Sequence, residues 1–397
     1  MKLTAEEKQI LDLGFRGSFG YEPIRYFSAP GRTEIGGNHT DHQRGRVLAA
    51  AVNLDTRAAV ATNGTQTIRV LSQGYPLCQV DLTDLTAKKE EENTTAALIR
   101  GVAARFTELG CPVTGFDAYV MSTVLPGSGL SSSAAFEVLM GTILNIMFHK
   151  SAFSPQDIAK IGQYAENVYF GKPCGLMDQM ASAVGGLVAM DFDTGMVRPL
   201  KCDLSRWGYA LCIIDTHASH AELTGEYAAV PAEMKAVAAY FGSDVLSQVP
   251  KKRFYQELPA LRQSCGDRAV LRAIHFYEEN HRVEDQWAAL EQENMLAFLE
   301  LVRESGRSSF MYLQNVIVSG SAAHQEMAVA LALCEKYLQG CGACRVHGGG
   351  FAGTVQAFVP MEKLENFCRC MDEALGEGSC RVLSVRPEGG IELEVAQ

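Results

Sequence analysis

Residues 125–135 contain a proline, two glycines and a run of serines, and an apolar stretch with helical spacing follows them. This order is typical of a loop that leads into a helix. The first turn of a helix carries unpaired backbone N–H groups and a partial positive charge, so such a loop can bind phosphate. The serine hydroxyls add donors and an oxygen ligand for Mg2+. The same pattern also occurs as plain structure, and this stretch alone leaves both interpretations open.

Two common nucleotide-binding motifs are absent from the sequence. The Gly171-Lys172 pair is followed by Pro173, so it is not the end of a Walker loop. A dinucleotide fingerprint would need a glycine where Ser132 stands. A phosphate site at residues 125–135 would therefore be of another kind.

A second candidate site is the polar stretch 32–43, which lies between two apolar segments. It is open to three interpretations: a solvated loop, a metal site using His39, Asp41 and His42, or a sugar site in which amide, imidazole, carboxylate and guanidinium groups bind hydroxyls. The metal interpretation lacks a further clear ligand.

Asp178 follows a glycine-containing turn, where a helix is predicted to begin. An acidic residue there can simply stabilise the first helical turn. It can also act as a partly buried general base. The sequence around Asp178 favours neither interpretation over the other.

The 12 cysteines are scattered and lie mostly in apolar surroundings, as expected for reduced thiols in the cytosol. A zinc or redox cluster is a weaker alternative, because the spacing fits a zinc ribbon only loosely. Its members would be Cys341, Cys344, Cys368, Cys370 and Cys380.

Composition restricts the class of protein. The chain has 397 residues, 47% hydrophobic and 20% charged, with a net charge of -11. We therefore expect a globular protein of about two domains, divided near residue 200, with no nucleic-acid or membrane partner. The first residues do not resemble a signal peptide, so we expect a cytoplasmic location.

Hydrophobic periodicity predicts the elements that position these candidate residues. We predict a helix over 5–15, a strand over 24–32 broken at Pro30-Gly31, a strand over 47–54, a hairpin between 57–62 and 67–72, a helix over 95–109, a strand over 116–124, and a helix over 155–170. Further on, residues 231–310 are mostly helical and residues 354–359 form a strand. A strand, a glycine loop and a helix in this order suit a phosphate site.

Four clusters in this order resemble the galactokinase family of the GHMP small-molecule kinases: residues 31–41, 127–135, 165–179 and 345–353. Together they span nearly the whole chain. The resemblance implies a two-domain α/β (α+β) fold with mixed sheets and an active site in the interdomain cleft. It assigns residues 1–200 to an N-terminal substrate- and ATP-binding domain and residues 201–397 to a C-terminal GHMP kinase domain.

The resemblance also implies roles for single residues. Asp178 would take the proton from the anomeric hydroxyl, and Arg32 would stabilise it and the transferring phosphoryl group. Ser133 and Glu166 would bind Mg2+. The ATP phosphates would be held by Gly127, Ser128, Gly129, Leu130, Ser131, Ser132 and Ser133, with Ser72 near the nucleotide. The sugar would be contacted by Asn38, His39, Thr40, Asp41, Gly175 and Tyr227.

Some positions depart from the family pattern. Asn38 stands where the family has a glutamate expected to hold the C6 hydroxyl, and His42 replaces an aromatic residue. Val230-Pro231 occupies the place of arginines, and Ala352 replaces a glycine. These changes do not affect the residues implied in phosphoryl transfer, but they leave the identity of the sugar undetermined.

The resemblance therefore predicts a monomeric, ATP- and Mg2+-dependent sugar-1-kinase for galactose or a close relative. One alternative is a kinase for a C6-modified sugar such as galacturonate. Another is a non-catalytic sugar sensor, which Arg32, Glu166 and Asp178 argue against, because a sensor does not need a base or a metal ligand.

Overall fold

A computed structural model of the chain describes residues 1–124, 129–172, 174–200, 203–219 and 223–395. The strands are β1 Lys2–Leu3, β2 Arg25–Gly36, β3 Arg46–Thr62, β4 Thr67–Ser72, β5 Cys78–Asp81, β6 Phe116–Ser122, β7 Leu187–Asp191, β8 Met196–Leu200, β9 Tyr209–Asp215, β10 Ala343–His347, β11 Thr354–Pro360, β12 Cys380–Leu383, β13 Ile391–Glu392 and β14 Glu394–Val395. The helices are α1 Ala5–Phe19, α2 Thr95–Glu108, α3 Ser132–His149, α4 Pro155–Tyr164, α5 Met177–Val184, α6 Thr224–Tyr240, α7 Lys251–Gln256, α8 Leu258–Cys265, α9 Asp267–Glu291, α10 Met295–Ser308, α11 Glu326–Leu338 and α12 Leu364–Leu375.

Local sequence signals place several helices correctly. Thr4 and Glu7 form a reciprocal capping box at the start of α1, and Ser154 and Asp157 form another at α4. The predicted helix over 155–170 is confirmed, although its last part, Ala165–Phe170, is a π-helical turn. Such turns shift the direction of side chains relative to a regular helix.

The larger sheet has the order β13-β2-β3-β6-β4-β5, and β7 and β8 extend it from β3. At 17 residues, β3 is long enough to pair with β7 through its first half and with β6 through its second. The predicted hairpin between 57–62 and 67–72 is therefore wrong, because β6 lies between β3 and β4 and runs parallel to β4. Local turn residues could not reveal this pairing with a strand more than forty positions away along the chain.

The predicted break at Pro30-Gly31 is also wrong, because β2 continues through it. The pairing of β2 with β3 instead shifts register between Pro30 and Arg32. A proline is tolerated at such a bulge, and the bulge changes the direction of the following side chains. Arg32 is the first residue after this shift.

The smaller sheet is antiparallel with the order β10-β11-β9-β12. An apolar cluster joins it to the larger sheet, with Leu48 and Val52 from β3 and Leu211 and Ile213 from β9 all buried. The mixed α/β fold class is thus confirmed. The division near residue 200 stays a prediction.

The last part of the chain returns to the larger sheet. β13 pairs with β2, and β14 runs parallel to β1. Arg386 is buried and donates to Asp55 Oδ2 at 2.9 Å and to Ser28 Oγ at 2.7 Å. These contacts hold residues 385–395 against the N-terminal sheet. In the described ranges, no helix is both long and apolar enough to cross a membrane.

Candidate active site

The Arg32 side chain forms a two-point ion pair with Asp178. Arg32 Nε donates to Asp178 Oδ1 at 2.7 Å, and Nη2 donates to Oδ2 at 2.8 Å. Burial alone would raise the pKa of Asp178, but the Arg32 charge and the Ser131 hydroxyl hold that pKa below its ordinary value. Asp178 is therefore ionised at neutral pH and can accept a proton. The resemblance implied that Arg32 stabilises Asp178, and the structure brings the two side chains into contact.

Ser131 links this pair to the start of α3. Its Oγ donates to Asp178 Oδ2, and its backbone is left-handed, with φ 57°. Non-glycine residues adopt this conformation at a cost, often at functional sites. Gly129, also left-handed at φ 72°, accepts from Arg32 Nη1 at 2.5 Å. The glycine-serine loop is thus fastened to the ion pair at two points.

A pocket of about 330 Å3 opens at this place. It is lined by the Arg32–Asp178 pair, Lys172, the start of α3, and the glycine-rich segment after β10. Ser131, Ser132 and Ser133 contribute from the start of α3. Leu130 is buried beneath them, and Gly127 and Ser128 lie outside the described residues. The pocket therefore combines helix N–H groups, hydroxyls and two cations, which suits a phosphorylated ligand.

Glu166 accepts hydrogen bonds from three side chains beside the pocket. Its Oε1 accepts from Ser133 Oγ at 3.1 Å and from Lys172 Nζ at 3.2 Å, and its Oε2 accepts from Gln179 Nε2 at 2.7 Å. The same Gln179 nitrogen donates to Glu137 Oε2 at 2.9 Å. Burial and the charge of Glu166 raise the pKa of Glu137 well above its ordinary value.

This cluster contains more hydrogen-bond acceptor oxygens than hydrogen-bond donors. Among the described residues, the buried Glu137 Oε1 and Gln179 Oε1 have no hydrogen-bond partner. Buried acceptors without a partner cost free energy, and a cation is one way to offset that cost. Ser133 and Glu166 therefore lie together in surroundings that suit a hard cation with oxygen ligands.

His347 lies behind Arg32 and is a pocket residue that sequence analysis did not assign. Its Nδ1 is 2.8 Å from Thr354 Oγ1, and its Nε2 is 3.0 Å from Thr33 Oγ1. Burial, together with the charges of Arg32 and Arg345, lowers its pKa well below the ordinary value. The ring is neutral, so it adds no competing positive charge next to Arg32.

Four predicted sugar contacts lie near the pocket. A Cβ on Gly175 would stand 2.7 Å from Asp41 Oδ2, so a side chain at this position would displace the Asp41 carboxylate. His39 Nε2 lies 2.9 Å from the Gly349 carbonyl oxygen. Tyr227 lines the pocket, and its hydroxyl donates to the Gly350 carbonyl at 2.9 Å. His39 and Tyr227 thus both bond the glycine-rich segment, whereas Asp41 lies against Gly175.

Asn38 has an environment that does not suit a direct sugar contact. Its side chain is fully buried, and Nδ2 donates to Gly348 O at 2.7 Å and to Glu34 Oε1 at 3.1 Å. Oδ1 accepts from Asn315 Nδ2 at 2.9 Å. The polar atoms of the amide are therefore already bonded to protein. The direct contact of this amide with a sugar hydroxyl therefore stays a prediction that these bonds do not favour.

Thr40 is also buried, and its Oγ1 donates to the Gly37 and Arg46 carbonyls, so it shapes the turn rather than facing the pocket.

Ser72 lies at the end of β4, opposite Val120 of β6, and is not part of the pocket lining in the described structure. Within the described ranges, His39, Asp41 and His42 do not converge closely enough to hold a metal ion.

Glu34 is a buried charged residue in this region to which the sequence assigned no role, and Lys172 and Glu137 were assigned none either. Glu34 lies two positions after Arg32 on β2, where the pairing with β3 is regular, so the two side chains share a face of the strand. Its Oε1 accepts from Arg345 Nη2 and from Asn38. Among the described residues, Oε2 takes no hydrogen bond, and Glu34 as a whole is 5% exposed and lies next to the pocket rather than in its lining. The alternation of strand side chains was the signal that could have revealed it.

Comparison with known proteins agrees with this site. A family model described as GHMP kinases N terminal domain matches residues 97–186. A second, described as the galactokinase galactose-binding signature, matches residues 14–62. The first range contains α3, Glu166 and Asp178, and the second contains Arg32, Glu34 and Asp41.

Solved structures agree with the fold. The chain is similar to Lactococcus lactis galactokinase complexed with galactose, with a TM-score of 0.83 and 23% identity over 97% of this chain and 99% of the other. It is also similar to a mevalonate kinase, with a TM-score of 0.64 and 14% identity over 92% of this chain and 100% of the other. Together, the fold and the site define a GHMP kinase.

The curated relatives identify the family to which the chain belongs within the GHMP kinases. The galactokinase of Streptomyces coelicolor is 31% identical over 95% of this chain and 96% of its own length. That of Glaesserella parasuis is 32% identical over 88% of this chain and 89% of its own length. The chain belongs to the galactokinase family. It is an ATP-dependent sugar kinase.

The support beneath Asn38 includes a buried histidine. His275 Nε2 lies 2.8 Å from the Asn38 carbonyl oxygen, which can only accept, so Nε2 carries the proton and Nδ1 accepts from Ser308 Oγ at 2.8 Å. Burial lowers the pKa of His275 to about 4. The neutral ring therefore holds the backbone of residue 38 in place.

We expect His275 to make the fold acid-sensitive. Its folded pKa of about 4 lies below the ordinary 6.5, so the unfolded chain takes up the proton first as the pH falls. Stability should therefore drop between pH 6.5 and 4, by up to about 1.4 kcal/mol per pH unit from this residue. In His275→Gln, the dependence of the urea midpoint on pH should be smaller than in the wild type.

His281→Gln is the matched control, because His281 lies on the same helix with its side chain 71% exposed. It should keep the wild-type dependence on pH. An equal slope in wild type and His275→Gln would contradict the assignment of a neutral, buried ring.

Proposed function

We propose that this chain transfers the γ-phosphoryl group of ATP to the C1 hydroxyl of galactose. The observation that carries the proposal is the Asp178 carboxylate, held by Arg32 and Ser131 beside the start of α3. Phosphoryl transfer needs a positioned hydroxyl and neutralisation of charge more than covalent help. This site offers both in one pocket.

In the proposed reaction, the C1 hydroxyl gives its proton to Asp178 while its oxygen forms a bond to the γ-phosphorus. The bond from that phosphorus to the bridging oxygen breaks, and ADP leaves. Arg32 lies against Asp178, so it keeps the carboxylate ionised and oriented, and it can neutralise charge on the transferring group. Ser131, Ser132 and Ser133 and the N–H groups of α3 would hold the phosphates.

The donor set of Ser133 and Glu166 fits Mg2+, which is supported by the unpaired Glu137 and Gln179 oxygens nearby. When bound, Mg2+ would neutralise charge on the phosphates of ATP. Lys172 Nζ lies 3.2 Å from Glu166 Oε1 and contributes positive charge to the same place, and its side chain is 60% exposed.

Asp178→Asn tests the proposed base. The amide cannot accept the proton, so turnover should fall by roughly two to four orders of magnitude while ATP and galactose still bind. The measurement is a coupled assay of ADP release, with binding followed by calorimetry. Asp191→Asn is the control, because Asp191 also pairs with an arginine, Arg46 at 2.8 Å, but lies outside the pocket.

Turnover close to wild type in folded Asp178→Asn would refute the assignment of the base. A wild-type chain that binds galactose without consuming ATP would support the sensor alternative instead.

Ser133→Ala and Glu166→Gln test the proposed metal ligands. Each removes an oxygen ligand from a cation that prefers oxygen, so the Mg2+ concentration needed for half-maximal activity should rise by about tenfold or more. The measurement is a titration of activity with Mg2+ at saturating ATP. Thr142→Ala, a hydroxyl on the same helix outside the pocket lining, is the control. An unchanged Mg2+ requirement in both variants would show that the metal binds at other residues.

For the sugar, we propose that Glu34, supported by Asn38, takes the hydroxyl-binding role expected of residue 38. The Asn38 amide and the Arg345 guanidinium both bond Glu34 Oε1, which leaves Oε2 to accept from a hydroxyl. The Glu34 charge acts on both Arg32 and Asp41, so the carboxylate is close enough to influence a proposed catalytic residue and a proposed sugar residue. A glutamate is therefore still available to the sugar.

The electrostatics of this region favour a neutral sugar. Burial is the main cause of the raised pKa of Asp41, and the charges of Glu34 and Asp178 add to it. A uronate would bring a further carboxylate into surroundings that already disfavour negative charge. This argues against the galacturonate alternative, and the curated relatives, which are galactokinases, do not favour it either.

Glu34→Gln tests the hydroxyl contact. Exchange of a charge-assisted hydrogen bond for a neutral one costs about 1 to 1.5 kcal/mol, so kcat/KM for galactose should fall about tenfold. The variant should also discriminate less against one deoxygalactose, the one that lacks the bound hydroxyl, and against galacturonate. The measurement is kcat/KM for galactose, its monodeoxy analogues and galacturonate.

Because Glu34 also pairs with the buried Arg345, the variant can lose stability. A loss of folded protein lowers the rates for all sugars equally, whereas loss of a contact changes their ratios. Unchanged ratios in Glu34→Gln would exclude this contact. Glu373→Gln, an exposed acid on α12, controls for the change in net charge.

The remaining expectations from the sequence, a cytoplasmic location and a monomeric state, stay part of this proposal. Sedimentation of the purified chain at several concentrations tests the second of these.

A further inference from the structure

A group of thiols lies in the smaller sheet, apart from the pocket. Cys212 is on β9, Cys380 is on the neighbouring β12, and Cys368 is on α12, which packs against both strands. The register pairs Cys212 with Val382, so Cys212 and Cys380 are offset by two positions on adjacent strands. Side chains two positions apart share a face, which brings these two sulfurs together.

The three sulfur atoms lie within 4.8 Å of one another, and Cys368 Sγ and Cys380 Sγ are 3.5 Å apart. Thiolates bound to one Zn2+ at about 2.3 Å lie roughly 3.8 Å from one another. The side chains could therefore take up a shared ion with small movements. Cys212 is buried, whereas Cys368 and Cys380 are partly exposed, so an ion has a route from solvent.

The cysteine cluster considered from the sequence has different members. Cys341 is exposed, and Cys370 Sγ lies near Asn366 Oδ1 on its own helix. Cys344 packs toward α11, where its Sγ lies near the Leu331 carbonyl. The sequence pattern thus identified Cys368 and Cys380 but missed Cys212, because Cys212 is more than 150 residues away along the chain.

We propose that Cys212, Cys368 and Cys380 bind one thiophilic d10 cation, Zn2+ or Cu+. Soft thiolates select these ions from the divalent and monovalent metals of the cell. Each thiol releases its proton to solvent as its sulfur binds the metal. A three-sulfur site suits Cu+ as it stands, and it suits Zn2+ with a water molecule in the fourth position.

Occupation of this site would join β9, β12 and α12 at one point. β9 continues into Thr216, whose Oγ1 donates to Gly353 O at 2.7 Å, and Gly353 lines the pocket. The metal would therefore stiffen the sheet that supports the glycine-rich segment after β10. Its role would be structural, because none of the three cysteines lines the pocket in the described structure.

The test uses the reduced full-length chain under anaerobic conditions. Zn2+ and buffered Cu+ are added separately, unbound metal is removed by desalting, and the retained metal is measured by mass spectrometry. Co2+ serves as a spectroscopic probe, because thiolate ligation produces intense charge-transfer absorption. We expect about one equivalent of metal per wild-type chain, and competition with chelators specific for each ion distinguishes Zn2+ from Cu+.

Cys368→Ser and Cys380→Ser should weaken metal binding by at least about tenfold and abolish the cobalt charge-transfer band. Cys370→Ser, two positions further along the same helix, is the matched control and should keep both. Cys212 is avoided as the main variant, because its burial makes misfolding a competing explanation. Metal should raise the unfolding temperature of the wild type and of Cys370→Ser, but not of Cys368→Ser.

Equal metal retention by the wild type and the Cys368→Ser/Cys380→Ser double variant would overturn the proposal. So would the absence of any metal on the reduced wild type, which would leave the group as packed thiols only.

Discussion

The two-point ion pair between Arg32 and Asp178 is the interaction on which the site depends. It joins β2 to the first turn of α5, and through Gly129 and Ser131 it also fastens the loop before α3. A planar guanidinium and a carboxylate in this arrangement restrict orientation as well as distance. The register shift after Pro30 gives Arg32 its direction. A change in the backbone of β2 would therefore move Asp178, Arg32 and the glycine-serine loop together.

The balance of buried charge separates the two ends of the site. At the proposed catalytic end, Arg32 offsets the charge of Asp178. Beside it, Glu137 and Glu166 accept from the same glutamine nitrogen, and burial and the Glu166 charge raise the pKa of Glu137. At the proposed sugar end, Glu34 is offset by Arg345, whereas Asp41 has a raised pKa. The ionised form is thus favoured at Asp178 and disfavoured at Glu137 and Asp41.

The sequence predicted those features that depend on neighbouring residues. The capping boxes at Thr4 and Ser154 mark helix starts, and the glycine-serine loop before α3 follows from local composition. The hairpin over 57–72 was wrong, because the choice between β4 and β6 as partner of β3 depends on packing across the sheet. Asn38 and Glu34 show that prediction from the sequence is limited in the same way within the site. Residue type and resemblance indicated that this segment binds sugar, but only the fold shows which of the two polar side chains is enclosed by Gly348 and Asn315.

The return of the chain end to the first sheet has a consequence for how the protein forms. At one edge of β2, Phe27 and Ser28 pair with β13, which is separated from β2 by more than 350 residues of chain. During synthesis these two residues cannot make this pairing until β13 has left the ribosome, and unpaired strand edges are sites of misassociation. The contacts of Arg386 with Ser28 and Asp55 form over the same long separation. Completion of the N-terminal sheet is therefore a late step, so this kinase should need more protection while nascent than its stability once folded would suggest.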